Sequence, residues 1–321
     1  MLTVLMTTHN GEMTLPRVLD AYCALEPPDG GWKLCAVDNA STDATPEILR
    51  SYVGRLPLTC LSESRRGQNC ARNSALGAVC GDLVVFSDDD AIPNRDWLAQ
   101  LRRAADANAD FAIFGGTILP RWESEPEEWI LRWVPPGAGF ALTDPEWQEG
   151  LIRPSWVFSP NMAIRAEVFR AGHRFDEKLG PREGSYPMGS ETELTLRLSH
   201  AGLRAWHVKN AIVEHIIRHY QLTPSWLLSR AVRFGRGEYR LHFEDHRFPR
   251  PVLGVPLAPI RGILSHAGRL AVAKLSREPE AIFRWRWNLR FSIGSALEAV
   301  AIERERRLAA SQPAAGEAGS R

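Results

Sequence analysis

Residues 83–90 read Leu83-Val84-Val85-Phe86-Ser87-Asp88-Asp89-Asp90. Four apolar residues of the kind that fill a buried strand are followed, after one serine, by three consecutive aspartates. Neighbouring carboxylates repel one another, and it is costly to bury them unpaired. A hard divalent cation such as Mg²⁺ or Mn²⁺ relieves that cost and completes its shell with phosphate oxygens. The stretch predicts a strand that ends in a metal and phosphate site, and the alternative is a solvated acidic loop.

Similar apolar runs recur along residues 1–116, with helical patterns between them. The other runs are Leu2–Met6, Leu34–Val37, Leu58–Leu61 and Phe111–Phe114. Helices are indicated by the apolar spacing of residues 15–22, by Thr45-Pro46 as cap and first turn, by the alanine-rich residues 69–79 and by residues 93–101. This alternation predicts an α/β fold with a mostly parallel, doubly wound sheet, in which ligands bind at the carboxyl ends of the strands.

Polar residues at these strand ends form the candidate site. Thr7, His9 and Asn10 come after the first run, and Asp38 ends the second. A carboxylate at the position of Asp38 can accept a hydrogen bond from a base or a ribose, or it can form an Asx turn with the residues that follow. Arg72, on the alanine-rich helix, can reach a diphosphate or form an ion pair with a neighbouring carboxylate.

Residues 117–155 break this rhythm and are predicted to leave the sheet. A strand is predicted to resume at Trp156–Phe158, a helix to cover residues 190–201, and a short strand at Ile212–Val213 to lead to Glu214 and His215. Four residues are candidates for a platform on which an acceptor sugar stacks, with core or lid packing as the alternative: Trp122, Trp129, Trp133 and Trp156.

The charge of the chain is nearly balanced but unevenly distributed. The 321 residues carry a net charge of +1, which argues against a nucleic-acid binder that works by general basic charge. Residues 1–215 have a balance of −8 and residues 216–321 one of +9. The basic segment indicates an anionic partner such as a lipid surface, and the alternative is docking onto the acidic body.

The cysteines and the hydropathy predict a reducing location. The five cysteines are odd in number and include no C-x-x-C pair, so neither a disulfide framework nor a zinc site is expected. No signal peptide and no apolar run of transmembrane length is evident. The expectation is a cytoplasmic protein, with a peripheral place on the inner face of the plasma membrane left open.

Several common nucleotide motifs are missing from the sequence. Neither G-x-G-x-x-G nor G-x-x-x-x-G-K-[ST] occurs, which disfavours nicotinamide oxidoreductases and P-loop hydrolases. H-E-x-x-H and G-x-S-x-G are also missing. What remains is a phosphate and metal site made from acidic residues.

Six motifs in order resemble those of the inverting glycosyltransferases of family 2, which have the GT-A fold. Residues 4–10 are similar to the opening strand and loop, and residues 37–43 match V-D-[ND]-x-S-x-D. Residues 71–73 and 82–90 resemble the A-R-N helix that leads into the metal-binding D-x-D. The acceptor-side segments are similar at residues 161–165 and 175–176, and the catalytic helix at residues 189–198. The resemblance covers about residues 1–215.

The resemblance implies a role for each matched residue. The donor nucleotide is expected to be held by Thr7, His9, Asn10, Asp38, Arg72, Asp88 and Asp89. The ligands of Mn²⁺ or Mg²⁺ are expected to be Asp90, Asp88 and His215. Glu191 is the expected general base, with Glu193 as the alternative, and the acceptor side is expected to include Trp156, Asn161 and Glu193.

The sequence departs from the family pattern at three places. Ser190-Glu191 stands where the family has Glu-Asp, and His9 replaces the usual stacking tyrosine. The processive Q-x-x-R-W motif is missing, because Phe283-Arg284-Trp285 lacks the glutamine, so single additions are expected.

The implied activity is transfer of a sugar, with inversion, from a nucleoside-diphosphate sugar to an acceptor hydroxyl. The acceptor is expected to be a carbohydrate or a lipid-linked sugar, in the synthesis of cell-surface polysaccharide or glycolipid. Two alternatives stay open: an inactive sugar-nucleotide binder or scaffold of the same fold, and a nucleotidyltransferase.

The expected organisation has three parts. Residues 1–215 form the GT-A domain, with a nucleotide-binding half at 1–116 and an acceptor-side half at 117–215. Residues 216–308 form a helical, basic C-terminal extension, and residues 309–321 a disordered tail.

Overall fold

The computed structural model of this chain describes residues 1–184, 186–243 and 257–311. Within these ranges the chain divides into two compact units. The first contains residues 1–184 and 189–223, and the second contains residues 186–188, 224–243 and 257–311. Residues 309–311, expected in a disordered tail, are the end of the last helix, and residues 312–321 of that tail lie outside the described residues.

Nine strands of the described chain form one sheet in the first unit. They are β1 (Leu2–Thr8), β2 (Trp32–Asp38), β3 (Leu58–Ser62), β4 (Leu83–Asp88), β5 (Ala91–Pro93), β6 (Ile113–Trp122), β7 (Gly150–Ile152), β8 (Met162–Arg165) and β9 (Ala205–Ile217). The strand order is β3-β2-β1-β4-β8-β6-β9-β5, and β7 pairs with β9.

Eight α-helices connect the described strands of this unit. They are α1 (Leu15–Cys23), α2 (Thr45–Ser51), α3 (Gln68–Ala75), α4 (Trp97–Ala107), α5 (Glu128–Trp133), α6 (Pro136–Phe140), α7 (Ala166–Arg170) and α8 (Ser190–His200). The alternation of strands and helices predicted from the sequence is confirmed.

The parallel sheet predicted from the apolar runs is confirmed for the first four strands of its order. β1 pairs in parallel with β2 and with β4, and β2 pairs in parallel with β3. All seven residues of β1 are buried, as expected of a strand covered on both faces. The register places Thr7 opposite Asp88 and Thr8 opposite Asp38, so these strand ends meet at one edge.

The rest of the sheet is mixed, and here several sequence predictions are wrong. β8 is antiparallel to both β4 and β6, whereas β6 and β9 are parallel. The predicted strand at Trp156–Phe158 is wrong, because residues 154–156 form a 3-10 helix and β8 begins only at Met162. Pro154 and Pro160 lack the N–H that a sheet ladder needs.

Strand lengths in this part also exceed the prediction. Residues 117–122, predicted to leave the sheet, continue β6, and the short strand predicted at Ile212–Val213 belongs to the 13-residue β9. A register shift near Gly116 leaves residues 209–211 of β9 bulged between two paired stretches. Lys209 and Asn210 in this bulge are polar, so the apolar pattern indicated a strand only from Ile212 onward.

Two predicted helix starts lie elsewhere in the structure. Pro93 ends β5, and α4 begins at Trp97. Thr45 is the first residue of α2 rather than its cap. Its Oγ1 instead accepts a hydrogen bond of 2.8 Å from the N–H of Gly11, while Asp43 Oδ1 accepts one of 3.0 Å from the N–H of Thr45.

An aromatic and aliphatic core lies between β4 and α8. Phe86 of β4 meets the rings of Phe169 and Phe175 edge-on, at centroid distances of 5.7 and 5.2 Å. Leu194 and Leu198 of α8 are fully buried in the same cluster. Burying one such side chain contributes roughly 1.5–3 kcal/mol, so this core holds α8 against the sheet next to the end of β4.

The second unit consists of three helices in the described residues: α9 (Pro224–Phe243), α10 (Leu257–Ser276) and α11 (Pro279–Ser311). α9 and α11 cross with their backbones in contact, because a Cβ at Gly235 would lie 2.0 Å from the Phe291 carbonyl oxygen. A Cβ at Gly294 would likewise lie 2.1 Å from the Val232 carbonyl oxygen. Only glycine allows this approach.

A buried carboxylate joins these two helices close to the glycine crossing. Glu298 is fully buried, and it accepts a hydrogen bond of 2.7 Å from Arg236 Nε and another from Arg240 Nε. Arg240 also reaches Glu305 at 2.9 Å. Among the helices that the structure describes, none has the length and apolarity needed to cross a bilayer.

Candidate functional site

The carboxylate of Asp88, at the end of β4, is held by two side chains of α3. Its Oδ1 accepts hydrogen bonds from Gln68 Nε2 at 2.9 Å and from Arg72 Nη2 at 3.1 Å. Burial raises the pKa of Asp88, and the Arg72 guanidinium opposes that rise. The ion pair that the sequence left open for Arg72 is therefore present.

Arg72 also connects Asp88 to the first turn of α8. Its side chain is 1% exposed, and its Nη1 donates to Ser190 Oγ at 3.3 Å. The hydroxyl of Ser190 donates in turn to Glu191 Oε2 at 3.0 Å. We call this series, Asp88–Arg72–Ser190–Glu191, the Arg72 bridge. It brings together two regions that lie about a hundred residues apart in the sequence.

Polar contacts from α3 place the start of α8. Asn69 Nδ2 donates to the carbonyl oxygens of Asp176 and Leu179, and Asn73 makes two hydrogen bonds to the backbone of Phe175. The segment that precedes α8 is thereby fixed to α3. A Cβ at Gly180 would lie only 2.9 Å from the Ser190 Cβ, so the glycine permits this approach.

The two candidate bases on α8 differ in their partners. Glu193 makes a bidentate ion pair with Arg197, one turn later, at 2.7 and 2.9 Å. Glu191 is bound by the Ser190 hydroxyl, and its charge raises the pKa of Asp88. Glu191 therefore lies within electrostatic range of Asp88, whereas the carboxylate of Glu193 is paired on its own helix.

Asp89, the middle aspartate of the triplet, has a raised pKa. Burial, together with the charges of Asp90 and Asp88, raises its pKa to about 7, although the Thr8 hydroxyl donates to its Oδ2 and stabilises the anion. Gly11 lies directly above this carboxylate, since a Cβ there would be 2.4 Å from both Asp89 Oδ2 and Thr8 Oγ1. This crowding of buried negative charge is the condition in which a cation binds.

Asp90 faces His215 across the paired strands β5 and β9. Ala91 is the ladder partner of His215, and the N–H of Ile216 donates to the Asp90 carbonyl at 2.8 Å. His215 Nε2 lies 3.4 Å from Asp90 Oδ1, while its Nδ1 is 2.7 Å from the Phe140 carbonyl oxygen. Burial raises the pKa of Asp90, but His215 and Arg218 outweigh it and hold the pKa below its usual value.

The donor set of Asp90 and His215 fits Mn²⁺ or Mg²⁺. The Nδ1 contact to a backbone carbonyl directs Nε2 at Asp90, and this is the outer-sphere arrangement of metal-binding histidines. No group of three His, Cys, Asp or Glu side chains among the described residues is arranged to hold a metal. The chain thus offers two ligands, and such ions take the rest from water and phosphate.

The other residues expected on the donor side lie in two loops that are hydrogen-bonded to each other. Asn10 Oδ1 accepts from the N–H of Thr42 at 2.8 Å, and His9 Nδ1 is 2.8 Å from the Asn39 carbonyl oxygen. Asp38 Oδ1 accepts from the N–H of Ser41 at 3.1 Å, which is the Asx turn considered from the sequence. His9 and Asn10 are exposed at this edge of the sheet.

Thr7 is buried beside this loop, and its hydroxyl finds no hydrogen-bond partner in the described structure. A buried hydroxyl without a partner costs free energy unless a ligand or water satisfies it. Thr7 therefore fits the position of a group that contacts bound donor.

The acceptor-side residues are not brought together in the same way. Trp156 is 41% exposed and stacks on Trp147 at 5.1 Å, a partner that the sequence analysis did not include in its platform. Trp122 meets Phe140 instead, at 5.5 Å. Arg153 lies over the Trp156 ring, 5.2 Å from its centroid, so this exposed aromatic pair with its cation is the candidate surface for a sugar ring.

Asn161 is a structural residue rather than the expected acceptor-side one. It is fully buried, and its Oδ1 accepts from Trp97 Nε1 at 2.8 Å. Its Nδ2 donates to the carbonyl oxygens of Thr117 and Ala211, at 2.9 and 2.8 Å. These contacts satisfy the backbone at the β9 bulge, and the complete burial of Asn161 keeps its side chain from an acceptor.

Arg218 is a candidate site residue that the sequence analysis missed. It follows β9 three residues after His215, and its Nη2 lies 3.4 Å from Thr14 Oγ1, beside the Gly11 turn. Its charge lowers the pKa of both Asp89 and Asp90. The available signal was its position just beyond a candidate metal-binding histidine at a strand end.

Comparison with known proteins identifies the class. The sequence model described as Glycosyl transferase family 2 matches residues 3–163, which is half of the chain. The chain belongs to this family of glycosyltransferases, and its mixed α/β sheet followed by a helical C-terminal region is of the GT-A type.

Two relatives from Haloferax volcanii are similar in sequence. A glucosyl-dolichyl phosphate glucuronosyltransferase is 25% identical over 178 residues, which cover 53% of this chain and 54% of that protein. The glycosyltransferase AglE is 22% identical over 274 residues, 82% of this chain and 81% of that one. The chain thus spans about half the length of the first relative and most of the second.

Two solved structures share the fold. The mannosyltransferase PcManGT from Pyrobaculum calidifontis, in complex with GDP-Man and Mn²⁺, has a TM-score of 0.58 at 20% identity, and the match covers 93% of this chain and 86% of that one. TarS 1-349 from S. aureus, in complex with UDP, has a TM-score of 0.54 at 16% identity, with 95% and 91% covered.

Proposed function

We propose that this protein transfers a sugar from a nucleoside-diphosphate sugar to an acceptor hydroxyl, one residue at a time and with inversion. The observation that carries the proposal is the Arg72 bridge. It joins the aspartate-rich end of β4, on the donor side, to Glu191 on α8. A donor site and a base are thereby held within one network.

The donor is proposed to bind at the ends of β1, β2 and β4. Thr7, His9, Asn10 and Asp38 lie along this edge and are suited to the base and ribose, and Asp88 and Asp89 lie next to them. Arg72 is the expected diphosphate contact, but its two terminal nitrogens bind Asp88 and Ser190. Arg218 therefore takes that role in the proposal, and Arg72 positions Asp88 and Glu191.

Asp90 and His215 would hold the divalent ion, with Asp88 close by. When bound, Mn²⁺ or Mg²⁺ offsets the negative charge that builds on the departing diphosphate. PcManGT, whose structure contains GDP-Man and Mn²⁺, supports this assignment through the shared fold. The guanidinium of Arg218 adds a second positive charge on the same side, since it acts electrostatically on both Asp89 and Asp90.

Glu191 is proposed to take the proton of the acceptor hydroxyl. As that proton moves to the carboxylate, the acceptor oxygen forms a bond to the anomeric carbon, and the bond from this carbon to the diphosphate oxygen breaks. A single displacement of this kind inverts the anomeric configuration. The Ser190 hydroxyl keeps Glu191 oriented, and Arg72 keeps Ser190 in place.

The acceptor is proposed to be a carbohydrate or a lipid-linked sugar of cell-surface polysaccharide or glycolipid synthesis. The stacked Trp147 and Trp156 supply a surface for its sugar ring. The name of one relative, a glucosyl-dolichyl phosphate glucuronosyltransferase, supports a lipid-linked acceptor. A cytoplasmic enzyme at the inner face of the plasma membrane would meet such an acceptor through its basic C-terminal extension.

A thermal-shift screen of nucleoside diphosphates, with and without Mn²⁺, tests the donor site. A ligand at a hundred times its dissociation constant adds about 2.7 kcal/mol to the free energy of unfolding. The stabilisation is expected to require Mn²⁺ and to be lost in His215→Gln. A matched variant, His207→Gln, changes a buried histidine of the same strand whose ring meets Trp147 rather than the aspartates, and it should keep the shift.

The outcomes of this screen separate the functions. No stabilisation by any nucleoside diphosphate with Mn²⁺ contradicts the proposed donor site. Stabilisation without turnover across a broad acceptor panel supports an inactive sugar-nucleotide binder instead. Release of pyrophosphate from a nucleoside triphosphate would identify a nucleotidyltransferase.

A further inference from the structure

The outward face of α10 is apolar. Leu264, Val272 and Leu275 are 69%, 65% and 84% exposed, and Leu257 is 43% exposed. At about 100° per residue, these four side chains fall within about 80° of one another around the helix axis. They form an apolar stripe, interrupted by Gly268 and Arg261, which we call the α10 stripe. A helix that faces water normally presents polar residues there.

The opposite face of α10 is bound to α11, so the orientation of the stripe is fixed within this unit. His266 Nδ1 lies 3.0 Å from Ser292 Oγ, and the His266 ring stacks on Trp285 at 5.7 Å. A Cβ at Gly262 would approach Ser292 Oγ to 2.8 Å, and Ala273 is buried. The α10 stripe therefore points away from α11.

The charges around the stripe are all positive. Residues 257–276 contain three basic residues and no acidic one. Arg261, Arg269 and Lys274 are all exposed. Arg261 lies within the arc of the stripe, and Arg269 and Lys274 lie on opposite sides of it, at about 100° and about 120° from its centre. An exposed apolar face flanked by cations is the pattern of helices that lie in the headgroup region of a membrane.

We propose that α10 binds the surface of an anionic lipid bilayer. The leucines and Val272 of the stripe enter the boundary of the acyl chains, and Arg261 and Lys274 contact the anionic headgroups. A second copy of this chain is a poorer occupant, because a pair of α10 helices would bring cations together with no anion between them. The inference extends the proposed function, since a lipid-linked acceptor would lie in the same surface.

Co-sedimentation of the full chain with vesicles tests this inference without donor or turnover. The vesicles contain phosphatidylcholine alone or phosphatidylcholine with phosphatidylglycerol. The informative variant is Leu264→Gln/Leu275→Gln, because glutamine keeps the helix propensity and removes the apolar surface. Leu151→Gln is the matched control, since Leu151 is 71% exposed in the first unit, on β7. Arg261→Gln/Lys274→Gln tests the charges separately.

The unchanged chain is expected to bind the anionic vesicles. The Leu264→Gln/Leu275→Gln variant is expected to bind them at least tenfold more weakly, which corresponds to about 1.4 kcal/mol. Leu151→Gln should bind as the unchanged chain does, and the charge pair should weaken binding and reduce its dependence on salt. If circular dichroism shows that the double leucine variant has lost helix, the proposal is tested instead by the Arg261→Gln/Lys274→Gln variant and by the salt dependence of vesicle binding.

Three results would overturn the proposal. The first is that the unchanged chain does not bind the vesicles, and the second is that the Leu264→Gln/Leu275→Gln variant binds them equally well. The third is that the unchanged chain does not bind vesicles but forms a dimer, and that this double variant is a monomer. Vesicle binding by a chain that binds no nucleotide would leave this inference intact and contradict the proposed function instead.

Discussion

The donor edge of the sheet and the first turn of α8 are positioned by different means. At the donor edge the parallel ladders place Thr7 opposite Asp88 and Thr8 opposite Asp38, so the main chain sets the geometry. Glu191 owes its place to the Arg72 bridge and to the asparagines of α3. Backbone pairing therefore sets the spacing of the strand ends at the donor edge, whereas side-chain contacts from α3, among them the buried Arg72, place Glu191.

Removal of the proposed base is expected to have the largest effect and to leave the donor edge intact. Glu191→Gln should lower turnover by about 10²–10⁴-fold, which is the usual contribution of a positioned general base. Nucleoside diphosphate binding should stay unchanged, because no ladder is altered. Turnover and thermal shift measure the two effects. A rate within threefold of the unchanged enzyme would remove Glu191 from the mechanism.

Loss of Arg72 is expected to break the link between the two regions. Arg72→Met leaves the largely buried carboxylate of Asp88 without its cation, which should lower the free energy of unfolding by about 3 kcal/mol. This value is at the low end for a broken buried ion pair because the Asp88 side chain is 18% exposed. Urea unfolding measures this. Arg72→Met/Asp88→Asn should recover part of the loss. A loss below about 1 kcal/mol in the single variant would contradict the importance of the bridge.

Arg218 tests how the donor side binds the diphosphate. Arg218→Gln is expected to weaken nucleoside diphosphate binding about tenfold and to leave nucleoside binding unchanged, because one charge-assisted contact to phosphate is lost. Calorimetric titration gives both affinities. The control is Arg121→Gln, which changes an arginine that pairs with Glu214 between β6 and β9. Equal weakening of nucleoside and diphosphate would mean that Arg218 does not act on the phosphates.

Glu193 should give the smallest effect. Its bidentate pair with Arg197 is an i,i+4 contact on the helix, worth about 0.3–0.5 kcal/mol. Glu193→Gln is therefore expected to keep turnover within about threefold and to lower stability only by that amount. If Glu193→Gln lowered turnover as much as is expected for Glu191→Gln, Glu193 rather than Glu191 would be the general base.

The donor half was predictable because its rules are local. Each apolar run that forms β1, β2 or β4 ends directly at its polar residues, and the parallel register places these strand ends at one edge of the sheet. The aspartate triplet was indicated by residue types at the end of a strand, whereas His215 beside it was implied by the family resemblance. The alternatives weighed for Asp38 and Arg72 also appear, as an Asx turn and an ion pair.

The second half was less predictable because distant contacts decide it. Nothing in the local sequence shows that Asn161 satisfies two carbonyl groups at the β9 bulge and the indole of Trp97. The same bulge interrupts the apolar pattern of β9, so the pattern predicted a strand shorter than the one observed. Arg72 is also a case of this kind, since its second partner, Ser190, is 118 residues away.

The buried Glu298 of the helical unit restricts how its helices can align. A shift of α11 along α9 by one turn, about 5.4 Å, would take the carboxylate away from Arg236 and Arg240 and leave a negative charge stranded among apolar groups. The same shift would oppose bulky side chains where Gly235 and Gly294 now allow backbone contact. Sliding is thus penalised twice over, by electrostatics and by steric exclusion, and a single register is selected from many that hydrophobicity alone would accept.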